Sequence, residues 1–240
     1  MSIIFSTLFL FLIVSILLVF ISVNHTTIKS MNLMSEPESL LKTLWDKSNK
    51  DGGFYETLTN YAQDHKFMDK LAESQMWTKD YDFVPDIIFE FNGVINSTPL
   101  TVITWRNLHA SEFFILYYHP QSGKIVYEFT REFAEEKSLT TSSNRSSLSL
   151  PQPPDSYHQV FEKLNIDLLY SKHIESVEML KQKELVKPSK AELPANTIYL
   201  FVSSLKKHSA HVKRLPFWQF KGVYWFFVRQ NILVNKAISV

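Results

Sequence analysis

His208 and His211 stand three residues apart, so one helical turn would aim both imidazoles the same way, and they are the best-spaced pair of metal ligands in the chain. A stable site needs a third and usually a fourth ligand. The neighbours here are Lys206, Lys207, Lys213 and Arg214, whose charge repels a cation. His109, Ser111 and Glu112 supply a base, a hydroxyl and a carboxylate, but catalytic triads assemble from distant segments, so these three read as a polar turn between strands. Asp80 and Asp82 lack the further oxygens a hard cation requires. His65 falls on the apolar side of a helix, and Glu132, Glu135, Glu136, Glu175 and Glu178 read as solvated faces.

No linear motif supplies chemistry in their place. Phosphate loops need glycines so that backbone N–H groups can approach an anion, and neither GxGxxG nor GxxxxGK[ST] occurs among only 5 glycines. A GxSxG elbow is missing too, and the absence of cysteine removes thiol nucleophiles, thiolate metal sites and disulfides. The reading assigns no catalytic residue, no metal ligand and no cofactor.

The strongest remaining signal is electrostatic. After Glu192 there is no acidic residue, while Lys206, Lys207, Lys213, Arg214, Lys221, Arg229 and Lys236 follow among Trp218, Tyr224, Trp225, Phe226 and Phe227. Aromatic residues filling a core and basic residues on its wet side account for much of this pattern. Of the functional readings, contact of Lys206, Lys207, Lys213 and Arg214 with anionic lipid, or with a membrane protein, is preferred over nucleic acid, because the chain is already tethered to a bilayer.

That tether is the apolar run Ile3 to Val23, which holds nothing more polar than serine and threonine. About 20 such residues span a bilayer core as a helix. The run is too long for the apolar region of a cleaved signal, no Lys or Arg precedes it, and its exit lacks an A-x-A-like site. Residues 1–25 are accordingly expected to be a retained single-pass anchor with the lipid bilayer as partner. Lys29 and Lys42 after the run, against the amino group alone before it, favour a cytoplasmic C-terminal domain. Sequons at Asn24, Asn96 and Asn144 carry no weight, since composition alone yields roughly two.

The elements that must position these residues follow from periodicity. Ser35 to Glu38 read as a helix start carrying Leu40, Leu41, Leu44 and Trp45, and a second helix begins near Phe54. From Tyr81 the period becomes two, giving an antiparallel meander of at least four strands with a hairpin turn at Asn92-Gly93 and another between Tyr118 and Ile125. Residues 137–154, rich in Ser, Thr and Pro, read as a flexible loop. Helical spacing resumes at Tyr157, and Ile198–Val202 and Pro216–Val228 read as strands. The fold class expected is α+β: an N-terminal transmembrane helix, helices plus meander over 26–136, and a segment 155–240 completing the same domain. Helices are expected on one face of the sheet.

The functional expectation is a single-pass membrane-anchored protein with a non-enzymatic binding or assembly domain at the membrane surface. The alternative is a membrane-tethered hydrolase or transferase whose site converges only in three dimensions.

Overall fold

A computed structural model of the chain describes residues 2–35, 37–46, 53–61, 65–92, 99–107, 109–148, 150–189 and 197–238. It is α+β. Seven strands, β1 (Leu41–Asp46), β2 (Phe83–Asn92), β3 (Pro99–Asn107), β4 (Glu112–His119), β5 (Lys124–Glu132), β6 (Ser138–Ser142) and β7 (Ser156–Val160), lie side by side in chain order. The first six pair antiparallel, and β7 joins β6 in parallel. The expected meander is therefore present and longer than four strands. The Asn92-Gly93 turn lies outside the described residues.

Strand alternation divides the apolar residues between two faces. Ile88, Ile103, Trp105, Phe114, Leu116 and Phe129 meet α2 (Phe54–Tyr61), α3 (His65–Asp80) and the start of α4 (Ile166–Gln182). Trp77 of α3 centres this layer, with its ring against Phe83, Phe114, Phe129 and Tyr170 and its indole N–H donating to Asp167 at 3.0 Å. On the opposite face Ile87, Phe89, Phe91, Val102, Phe113 and Ile115 meet Ile198, Leu200, Phe201 and Leu205 of α5 (Thr197–Arg214). Helices thus cover both faces, which corrects the one-face expectation. A further layer is added by α1 (Ser2–Ser35), which packs against α5 and α6 (Trp218–Tyr224).

A β-bulge fixes α5 to the sheet. The register of β2 on β3 shifts between Pro85 and Ile87, the kind of bulged position at which a strand tolerates proline, and Asp86 is the extra residue. Its fully buried carboxylate accepts the Thr197 backbone N–H at 2.7 Å and the Thr197 hydroxyl, and Arg106 lies 3.9 Å away. An acidic side chain at a helix N-terminus receives its otherwise unpaired N–H groups and complements its dipole.

Several local expectations give way to tertiary context. Leu41, Leu44 and Trp45 belong to strand β1, and Pro37–Leu40 is only a 3₁₀ turn, because a free sheet edge at β2 takes up the backbone. Residues 137–154 are not a loop throughout: Ser138–Ser142 pairs with strands on both sides, as β-branched threonine permits. Tyr157 to Val160 is strand β7 rather than helix. Ile198–Val202 lies in α5, and the stretch read as the strand Pro216–Val228 is α6 followed by a π-helical turn at Trp225–Arg229, then α7 (Gln230–Leu233). Nearly every position from 216 to 228 is apolar, so spacings of two and of three to four fit equally and burial decides.

Among the described residues, no helix is long and apolar enough to cross a membrane. The expected transmembrane helix is accordingly not part of what the fold establishes.

Candidate functional site

The two halves of α5 meet very different surfaces. Over β2 to β4 the sheet offers Phe, Ile and Val, and Phe201 packs edge-on against Phe89 and Phe91. Over β5 to β7 the same face carries Glu128, Thr130, Glu132, Ser138, Thr140, Ser156 and His158, which are too short or too polar to fill the space. A cavity of about 430 Å³ results, bounded by Phe113, Ile115 and Tyr117 of β4 and by Leu200, Phe201, Leu205 and His208 of α5. That volume falls within the usual range of small-molecule sites. Exposed Ser203 and Ser204 also line it and mark its opening.

Its ionisable groups are held in unusual states. Burial pushes the Glu128 carboxyl up to about 7, against the opposing pull of hydrogen bonds from Tyr117 and Ser142; the Tyr117 hydroxyl donates at 2.9 Å. Burial likewise raises Glu132 to about 7, with the charge of Lys207 acting the other way. His158 is lowered to about 3, chiefly by burial and then by His208. His208 is lowered to about 4 by burial, despite a contact of 2.9 Å between its Nε2 and the Pro151 carbonyl. Both imidazoles are neutral at physiological pH, and among the described residues lining the cavity the one other basic side chain is Lys207. Its Nζ donates to the Glu136 carbonyl at 2.8 Å.

The residues singled out in the sequence disperse. Lys206 pairs with Glu38, Lys207 belongs to the cavity, and Lys213 and Arg214 are exposed in the last turn of α5, where among the described residues no ion pair holds them. His208 and His211 share α5 without a third ligand; among the described residues no group of three metal-ligating side chains occurs.

Glu112 is not in a polar turn but buried, with partners far along the chain. His173 Nε2 lies 3.2 Å from Glu112 Oε1, close without hydrogen-bond alignment, and Arg131 is 3.7 Å from the other oxygen. The His173 Nδ1 meets the Thr141 hydroxyl at 2.8 Å, and Gln159 links Thr141 to Ser176. A hydroxyl, imidazole and carboxylate in series have the order of a hydrolytic triad. Thr141, His173 and Glu112 are at most 1% exposed, however, so no substrate reaches them and the network joins β4, β6, β7 and α4.

Sequence reading overlooked Glu128 and took Glu132 for a solvated residue. The signal was present in β5, where Glu128, Thr130 and Glu132 alternate with Tyr127, Phe129 and Arg131.

A second surface lies beside α1. Pro216 ends α5, and beyond it Phe217, Phe220, Tyr224 and Phe227, spaced three and four apart, are exposed along one helical stripe. Trp218 and Trp225 turn inward; the indole of Trp225 donates to the Leu148 carbonyl at 2.7 Å. Phe220 meets Phe20 of α1 at 5.0 Å between ring centres. On α1 itself, Phe5, Leu8, Phe9, Leu10, Phe11 and Leu12 are more than half exposed, as are Ile16, Leu17, Leu18 and Ile21.

No protein-family model, curated protein or solved structure matches this chain.

Proposed function

We propose that the chain is a single-pass membrane-anchored protein whose α+β domain works as a non-enzymatic binding module at the membrane surface. The ring contact between Phe220 and Phe20 carries this reading. Phe20 lies three residues before the end of the apolar run at Val23, roughly 4.5 Å along a helix axis. The exposed stripe Phe217, Phe220, Tyr224 and Phe227 is then level with the rim of the hydrocarbon, the depth at which aromatic belts are found. Lys213, Arg214 and Lys221, all exposed, flank the stripe and suit anionic headgroups. The apolar side chains that α1 leaves uncovered gain the lipid contact that water denies them. The direction of the lysine bias gives a cytoplasmic domain.

Expressed full-length, the chain is expected to sediment with membranes and resist alkaline carbonate extraction. Leu12→Arg with Ile13→Arg, each arginine costing about 2.5–3.5 kcal/mol at the centre of a span, is expected to release it. Wild-type protein in the soluble fraction would refute the anchor. A Phe220→Trp variant in vesicles is expected to be quenched more strongly by lipids brominated near the headgroup than near the bilayer centre, and the reverse order would reject the proposed depth.

A second reading, a membrane-tethered hydrolase or transferase, is favoured by one observation: Glu128 and Glu132 share a cavity and sit near 7, the range suited to general acid–base work. Against it, among the described residues no hydroxyl is hydrogen-bonded to either histidine of that cavity. Turnover by the full-length chain in a hydrolase and transferase screen, abolished by Glu128→Gln, would select this reading.

A further inference from the structure

We propose that the cavity between β4–β7 and α5 binds a small organic ammonium ion, its charged head at Glu128 and its apolar body against Ile115, Leu200 and Phe201. This goes beyond the membrane reading and does not depend on α1 entering a bilayer.

The two carboxylates of the cavity differ in a way that chooses between them. Glu132 feels the charge of Lys207, whereas among the described residues no basic side chain acts on Glu128. Tyr117 and Ser142 donate to Glu128, but an ionised carboxylate offers about four acceptor positions, so capacity remains for a donor carried by a ligand. Ile115 is its directly opposed neighbour on β4, which brings an apolar wall beside the charge. Phe201 and Tyr117 add aromatic faces, and such faces attract cations. An anion would meet two carboxylates, and a purely apolar ligand would strand them without the water they lose.

One consequence separates this from indifferent filling of a hole. The ammonium must draw Glu128 into its ionised form, so binding releases a proton and tightens as pH rises from about 6 to 8. Binding of an uncharged analogue lacks that gain.

Benzylamine, benzyl alcohol and benzoate share one ring and differ in the head group. Titrated into the full-length chain in mild detergent and followed by ligand-observed NMR at pH 8, benzylamine is expected to bind about tenfold more tightly than benzyl alcohol, and benzoate not saturably. Glu128→Gln should bring benzylamine down to the affinity of the alcohol, while Glu132→Gln should cost less. Unfolding midpoints of both variants at the assay pH show that the fold is retained. Amine and alcohol binding alike, or a Glu128→Gln variant that keeps the preference for the amine, would overturn the proposal.

Discussion

Replacing Asp86 by alanine is expected to cost about 3–5 kcal/mol of stability and to loosen α5 before the rest of the domain. The carboxylate is fully buried and meets the Thr197 N–H and hydroxyl, with Arg106 close by, so truncation leaves an α5 terminus without its acceptor inside the protein. Water cannot enter to replace it, and that lost compensation, more than the lost attraction, makes the effect large. Asp86→Asn retains one acceptor oxygen and is expected to fall between wild type and alanine. Urea unfolding measures the cost, and hydrogen exchange tests the location: amides in the first turns of α5 should lose protection first. A cost below about 1 kcal/mol for the alanine variant would mean that α5 is held by its apolar face alone. Since α5 roofs the cavity, Asp86→Ala should also weaken any ligand bound beneath it.

What could be read from sequence follows from how local the determinants are. The strands from Phe83 to Glu132 alternate over many residues, and their hairpins close over short distances, so periodicity identifies them. Strand β6 was hidden because Ser138–Ser142 has no apolar alternation; it is a strand only because β5 and β7 pair with it. That mistake also hid the cavity, whose floor includes Ser138 and Thr140. Likewise Glu112 could be recognised as a carboxylate worth weighing, but its partners Arg131 and His173 arrive from β5 and α4 through the fold. Charge counting names Lys206, Lys207, Lys213 and Arg214 but not their partners: a helix turns successive residues to different sides, so Lys206 reaches Glu38 and Lys207 the Glu136 carbonyl.

The cavity carboxylates should destabilise the domain at neutral pH, and Glu128→Gln with Glu132→Gln should therefore be more stable than wild type at pH 8 and nearly equal to it at pH 4.5. Each carboxyl is raised from 4.5 to about 7 by folding. Between those values the native state keeps protons that the unfolded chain has released, so stability falls with rising pH through that window and is level on either side. The full shift corresponds to about 3 kcal/mol per group, and the partial exposure of both side chains to the cavity reduces this to about 1–3 kcal/mol. The wild-type profile conceals the effect, because His158 and His208, lowered from 6.5 to about 3 and about 4, contribute the opposite slope up to about 6.5. Differences between variant and wild type cancel the histidines and isolate the glutamates. In urea unfolding of the full-length chain, the gain should open between pH 4.5 and 7 and then stay constant; a gain independent of pH, or a loss at pH 8, would show that these carboxyls are not held near 7. Glutamine preserves the acceptor for the Tyr117 hydroxyl, so repacking does not obscure the comparison. Two carboxylates that cost stability where neutral isosteres would not are unexplained by the fold, and a ligand whose positive charge offsets their desolvation gives them a role.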